Sequence, residues 1–438
     1  MVLVGESATG SGVRGGQGSG GRTFSRWAIL LTVLVMTFMV CLDSSIVTVA
    51  LPVMQKELGV GIDQIQWVSS VYLISTCVGV LSFGRLGDLR GKVYVFQAGV
   101  VIFTVGSLLC GLAQTMPMLI VGRVVQGIGC AAAMANNMGI ITEAFPQHEL
   151  GRAMGLLATF VSLGMMAGPL LGGIIVSTYA WEGIFLINVP VGIASFVVGL
   201  KTLPHVRPSA DAFSRAGSML DAARLCFSNP TFAINLLTML IVFMGIGSYE
   251  FVLPFYFQDA HGLSAGVSSL LFMVLPIVNA VVGPISGSVS DRVGCEVPTC
   301  VGLGVYVAGL LAASTLDETS PIWLVVCFVG LISMGNSIFQ APNNSLFMAS
   351  APTSALGFAG SVSSLARYAG MAVGISSASA MLYGRMGQAA GHAVTGYVEG
   401  RPDIFLAGFS FVFYVLAAVA AVGLVLTLVR LVLSRREG

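Results

Sequence analysis

Leu42-Asp43-Ser44-Ser45-Ile46-Val47-Thr48-Val49-Ala50-Leu51-Pro52 closes an apolar run that begins at Trp27. The run is long enough to cross a bilayer as a helix. It carries one charge, Asp43, near its middle. A charge at the centre of a span costs about 2.5–3.5 kcal/mol on insertion scales, so such a residue faces protein or a water-filled cavity and has a partner.

The rest of the chain fits that reading. Its 438 residues are 56% hydrophobic and 9% charged, where soluble domains average about 25% charged. The mean hydropathy is +0.92. This is an all-α polytopic membrane protein. Apolar runs fall at roughly 27–50, 66–84, 93–113, 117–141, 152–176 and 184–203, then at 232–257, 268–288, 297–315, 321–345, 360–384 and 404–430. Twelve transmembrane helices follow, in two six-helix bundles over 27–203 and 232–430. Residues 1–26 read as a flexible basic tail, 204–231 as a cytoplasmic linker and 431–438 as a second tail. Met219, Leu220, Leu225 and Phe227 of the linker are placed at the membrane surface.

Orientation follows from the bases. With both termini in the cytoplasm, fifteen Lys and Arg lie inside, Arg430 among them, and three lie outside, a positive-inside bias. Arg123 and Arg367 remain within spans. All four Trp (27, 67, 181, 323) fall at expected span ends, as an aromatic belt requires. The eight Cys lie in spans or on cytoplasmic stretches, so no disulfide is expected. Net charge of +1 gives no reason to expect nucleic acid as a partner. There is no metal-ligating set, cofactor motif or phosphate loop, and no nucleophile–base set, so the chain is not read as an enzyme.

The halves repeat. Gly84-Arg85-Leu86-Gly87-Asp88-Leu89-Arg90-Gly91-Lys92 joins spans two and three, and Gly287-Ser288-Val289-Ser290-Asp291-Arg292-Val293-Gly294 joins spans eight and nine. Asp88 and Asp291 stand 203 positions apart. Parallel repeats of this kind mark secondary transporters.

Several further stretches carry a resemblance. They are Arg123-Val124-Val125-Gln126-Gly127-Ile128-Gly129, Gly164-Met165-Met166-Ala167-Gly168-Pro169-Leu170-Leu171-Gly172-Gly173 and Trp181-Glu182-Gly183-Ile184-Phe185-Leu186-Ile187-Asn188-Val189-Pro190. With the stretch at 42–52 and the loop at 84–92, they make the chain resemble the major facilitator superfamily. Within it, the resemblance is to the drug:proton antiporters of the multidrug-resistance type usually built with fourteen spans. Two central spans of that type are missing here. Glu182-Gly183 stands where the family often has Arg-Trp, and Leu89 and Val93 where the loop often carries bases. The resemblance implies a multi-pass cell-membrane protein that exchanges a small amphipathic, cationic or neutral compound for protons. Proton-coupled uptake of a nutrient and a non-transporting membrane receptor are the alternatives. The expected partners are small-molecule substrate, protons and lipid, with the chain a monomer.

The intramembrane polar residues supply the candidate site. Arg123 lies at the depth of Asp43 on adjoining spans, about 9–10 Å from the outer side at 1.5 Å per residue. It shares a helical face with Gln126, Gly127, Cys130 and Asn137. Asp43 and Arg123 are the expected proton-coupling pair, against the alternative of a static ion pair. Glu250 is the second intramembrane acid, with Phe243, Ile246, Leu253 and Phe257 on its face. A carboxylate among aromatic rings suits a lipophilic cation; a proton site and a structural carboxylate are the alternatives. Ser44, Thr48, Tyr249, Asn336 and Gln340 read first as helix–helix hydrogen bonds. Tyr249, Asn336 and Gln340 join Gln126 and Asn137 as further candidates for substrate contact. Gly84, Asp88, Arg90, Gly91, Asp291 and Arg292 form the expected cytoplasmic latch of the outward-open state, with Asp88 capping a helix or pairing with a base of the other half; simple turn chemistry with positive-inside anchoring is the alternative. Arg367 is the expected inner gate or a binder of an anionic group, or else bonds to carbonyls or to polar groups of span ten such as Asn343 or Asn344. Gly164, Gly168 and Gly172 let another backbone approach, and Pro169 bends their helix, at an expected moving interface, with static close packing as the alternative.

Overall fold

The computed structural model describes residues 25–204, 219–352, 356–394 and 396–437. The first half holds α1 (Arg26–Leu58), α2 (Ile62–Arg90), α3 (Lys92–Gly111), α4 (Met116–Ala144), α5 (Gln147–Thr178), α6 (Gly183–Leu186) and α7 (Asn188–Thr202). A short helix, α8 (Met219–Phe227), leads to the second. There follow α9 (Pro230–Phe255) with a π-helical turn over Tyr256–Ala260, then α10 (Ala265–Phe272), α11 (Val274–Val293), α12 (Glu296–Ala313), α13 (Ile322–Ala349), α14 (Leu356–Ala390) and α15 (Pro402–Glu437).

Two crossings are made in two pieces, α6 with α7 and α10 with α11. Proline gives the same cause in both. Pro190 and Pro276 have no N–H to offer the carbonyls of Leu186 and Phe272, and α6 and α10 end at those residues. The count is then twelve. Eleven of these segments are long and apolar enough to cross a membrane. The other is α14, whose polar residues include Arg367, Arg385 and six serines. It packs between α9 and α2, so protein rather than lipid takes much of that surface.

The repeat is visible in the packing. In the first half α3 packs on α4, α2 on α4 and α1 on α5; in the second α12 packs on α13, α11 on α13 and α9 on α14. These are the same pairs in chain order. The cytoplasmic turns repeat too: Gly91 has φ 107° and Gly294 φ 84°. Both need the left-handed region that glycine alone enters freely.

The halves meet along their outer ends. Lys56 Nζ lies 2.7 Å from Asp259 Oδ1, and Gln258 Nε2 donates to the Val49 carbonyl at 3.2 Å. The Tyr383 hydroxyl engages the backbone at Ile62 and Asp63. Gly173 of α5 backs onto Ser269 of α10. On the cytoplasmic side the ion pairs Arg26–Glu149, Lys92–Asp88 and Lys92–Glu143 each stay within the first half. The molecule is therefore closed on its outer side.

Several expectations need correction. The final helix runs past 430 to Glu437, because no helix-breaking residue stops it. Arg430 is no surface anchor: it is buried and donates to Asn235 Oδ1. Trp181 is buried on Phe185, with ring centroids 6.2 Å apart, and does not belong to an aromatic belt. Leu225 and Phe227 of α8 are exposed, whereas the side chains of Met219 and Leu220, most of the linker and the 1–24 tail lie outside the described residues.

Candidate functional site

Asp43 and Arg123 meet at the centre of the first half. Arg123 donates from its Nη1 to Asp43 Oδ2 at 2.8 Å, with side chains 1% and 0% exposed. The other carboxylate oxygen, Oδ1, accepts from Gln126 Nε2 at 2.7 Å and from Asn188 Nδ2 at 2.8 Å. Gln126 also accepts from Arg123 Nη1 at 2.6 Å and donates to Ser107 Oγ at 2.8 Å. Arg123 Nε donates to the Val68 carbonyl at 2.8 Å, and the guanidinium lies 4.1 Å above the Tyr72 ring. Five helices thus converge on one ion pair. A buried pair holds its charges only when the remaining lone pairs and protons are satisfied in this way.

Helix geometry explains the convergence. On α4, Arg123 and Gln126 are three residues apart and share a face. Gly106 lies where a Cβ would strike Gln126 of α4, and Gly122, Gly127 and Gly129 where one would strike α2 or α3, so the helices come close enough for short polar side chains to reach. Asn188 enters from the start of α7, just past the break made by Pro190.

A cavity adjoins this network between the two halves. Its volume is about 20 Å³, room for a single water. Ser44, Thr48 and Leu51 of α1, Ser69, Tyr72 and Leu73 of α2, and Arg123 of α4 line one side. Gly247, Glu250 and Phe251 of α9, with Met371 and Ile375 of α14, line the other. Glu250 makes no hydrogen bond or ion pair among the described residues. Pro254 leaves the Glu250 carbonyl without its helical donor, and the π-helical turn follows immediately.

The sequence between residues 33 and 375 matches the family model described as Major Facilitator Superfamily. The chain belongs to the major facilitator superfamily. Its members are multi-pass membrane transporters, and this facilitator is a cell-membrane protein of that kind. It is 30% identical to the riboflavin transporter RibZ of Clostridioides difficile, over 80% of this chain and 86% of that protein. It is 29% identical to the tetracenomycin C resistance and export protein of Streptomyces glaucescens, over 82% and 77%. It is 28% identical to the multidrug resistance protein Stp of Mycobacterium tuberculosis, over 77% and 72%. Among solved structures, it resembles a bacterial homologue of the human lysosomal transporter Spinster in an inward-facing, unoccupied conformation. The TM-score is 0.74 at 16% identity, covering 92% of this chain and 96% of the other.

The facilitator's fold sorts the remaining candidates. Ser44 and Thr48, read first as helix–helix bonds, are cavity wall. Gln126 is committed to Asp43 rather than open to a ligand. Tyr249, Phe243 and Phe257 are buried away from the cavity wall; the cavity face of α9 runs through Gly247, Glu250 and Phe251 instead. Asn137 Nδ2 donates to Thr37 Oγ1 at 3.4 Å, on the cytoplasmic side of the Asp43 cluster. Asn336 is buried in α13 with its Oδ1 unbonded, and neither it nor Gln340 lines the cavity. Arg367 is exposed, 5.2 Å from the Phe243 ring centroid, one turn below Met371. Asn343 bonds instead with Thr238 and Asn235.

In this outward-closed form the latch residues stand apart, and the span-five glycines take the close-packing arrangement. Asp88 neither caps α3 nor reaches the other half; it pairs with Lys92 at 3.6 Å. Arg90 closes α2, Gly91 supplies the turn, and a Cβ at Gly84 would meet Ala135 Cβ in ordinary contact at 3.8 Å. Arg292 is exposed at the end of α11, and the side chain of Asp291 lies outside the described residues. Gly164, Gly168 and Gly172 all face α1 at Phe38–Ile46, in the same half; with Pro169 they build a packing seam, and Gly173 supplies the contact across the halves. Asn188, Ser107, Ser69 and Tyr72 were not anticipated. Asn188 had a visible signal, as an amide within the apolar Ile184–Pro190 signature.

Proposed function

We propose that this facilitator exports small amphipathic compounds, cationic or neutral, in exchange for protons by alternating access. The observation that carries the reading is the cavity wall, which joins an unpaired carboxylate, Glu250, to the guanidinium of a buried ion pair. Such a site exchanges one cation for another. While Asp43 is ionised, Arg123 is held by it and Glu250 is free for a cationic substrate. A proton bound to Asp43 removes that hold. Arg123 is then drawn towards Glu250 across the cavity and displaces the substrate. A proton moving down 100 mV of membrane potential contributes about 2.3 kcal/mol to each cycle.

Two relatives whose names describe drug resistance or export support the class of substrate. A second reading, proton-driven uptake, rests on the relative named as a riboflavin transporter. Direction separates them. Protein reconstituted in vesicles with an imposed pH gradient should move a fluorescent cationic dye against the proton flow, and Glu250→Gln should lose cations while retaining part of its neutral-solute transport. Movement of solute and protons in the same direction would overturn export. Asp43→Asn that still couples would remove Asp43 from the proton path.

A further inference from the structure

A larger hollow lies outside the central cavity. At the outer end of the first half, the last turn of α3, the end of α5 and α6 border an open concavity of about 670 Å³. That is within the range of about 300–1,000 Å³ that holds drug-sized molecules. Leu112, Ala113, Ile175, Leu186 and Ile187 make the wall apolar, and Tyr179 stands on it 76% exposed. The wall carries a single charge, Glu182, whose Oε2 is shut off from solvent and accepts no hydrogen bond. Gly183 packs closely on the wall: a Cβ there would meet Ile175 Cγ2 at 2.9 Å.

We propose that this hollow is a binding site for a lipophilic cation at the outer face. Three features select that ligand. A partly buried carboxylate in an apolar wall is stabilised by a cation that sheds little water on entering. An exposed tyrosine ring adds cation–π attraction. No lysine or arginine lines the wall, so a phospholipid headgroup would set its phosphate beside Glu182 with no base to offset the repulsion. The site lies at the outer ends of α3, α5 and α6 within the first half and shares no residue with the contacts that join Lys56 to Asp259 and Val49 to Gln258. It is therefore open to the outer medium while the central cavity is closed to it. It does not depend on the direction of transport.

Binding of tetraphenylphosphonium to the purified, full-length protein in lipid nanodiscs tests the site. The background is Glu250→Gln, which silences the central carboxylate. One class of sites should remain. Adding Glu182→Gln should weaken it about tenfold or more, equivalent to 1.4 kcal/mol per decade. Gly183→Trp should weaken it similarly by filling the hollow, and Leu112→Trp fills it from the opposite wall should Gly183→Trp fail to fold. Thermal stability and central-site binding in the Glu182→Gln single variant report that the fold is intact. Binding unchanged by Glu182→Gln overturns the proposal. So does competition by added phosphatidylethanolamine, which would make a lipid headgroup the occupant. If Glu250→Gln leaves pH-driven export intact while Glu182→Gln abolishes the remaining binding, the central-site reading fails and the outer site stands.

Discussion

At the scale of single residues, Asp43 is held by three donors from three other side chains: Arg123, Gln126 and Asn188. Removing one member of a buried ion pair strands the other, at about 3–5 kcal/mol. Asp43→Asn should therefore lower thermal stability as well as abolish proton coupling. The double variant Asp43→Asn/Arg123→Gln should recover much of the stability and none of the coupling. Thermal denaturation in detergent, paired with a proton-flux assay, measures both; a double variant no more stable than the single one would contradict the account. Asn188→Leu removes one hydrogen bond to a charged group, worth about 1.5–3 kcal/mol. The pairing of Asp43 with Arg123 was legible in the sequence because two charges at equal depth in neighbouring spans have few other ways to be satisfied. Asn188 and Ser107 were not, because which face of α7 or α3 meets α1 and α4 is settled by packing across the bundle, not by either helix's own pattern.

Elements carry two further tests. The glycine seam of α5 lies directly on α1, where a Cβ at Gly168 would strike Ser45 and meet the Ile46 backbone nitrogen at 2.8 Å. Gly168→Leu should prevent assembly or abolish transport, while Gly155→Leu, with nothing within 4 Å of its Cβ, should be tolerated. Surface expression and transport of the two variants side by side provide the check. The small-xxx-small spacing was legible; that it joins two helices of the same half, leaving Gly173 to face the other, was not, since spacing names a face and not the neighbour. The π-helical turn is the second element. Its Tyr256 hydroxyl donates to the Asp317 carbonyl at 2.9 Å and pairs with His261 Nε2 at 3.0 Å. Burial pushes the His261 imidazole below its ordinary value, opposed in part by the Asp317 carboxylate. A histidine whose value is lowered by folding stabilises the fold while neutral, and that contribution fades as pH falls below about 6.5 and through the lowered value. Stability should thus drop on acidification in this window, and His261→Gln should flatten the slope. A His261→Gln protein with the wild-type slope would exclude His261 as the source.

Across the whole molecule, the outer contacts hold one of the conformations an alternating-access cycle needs. Asp259 is 2% exposed and its partner Lys56 63% exposed, so the buried acid loses its counter-ion when the base is removed. Lys56→Ala should shift the equilibrium towards an outward-open form. A cysteine placed at Ser69 on the cavity wall would report this as faster labelling from outside, by about tenfold for a 1.4 kcal/mol change. An unchanged labelling rate would show that Gln258, Tyr383 and the α5–α10 contact hold the seal without the ion pair. The two-half architecture was readable from the 203-residue repeat and the charge asymmetry. The seal was not: Lys56 and Asp259 lie far apart in the chain, and each read alone is an ordinary charge beside a span end.

The size of the central chamber has a consequence for the energy balance of the cell. A proton hops through a membrane protein along a file of hydrogen-bonded waters. About 20 Å³ of void lies between the halves at this point, room for about one water. On the proposed exchange, an idle carrier in this form would offer no continuous water file across that void. A proton would then wait on Asp43 for the helices themselves to move.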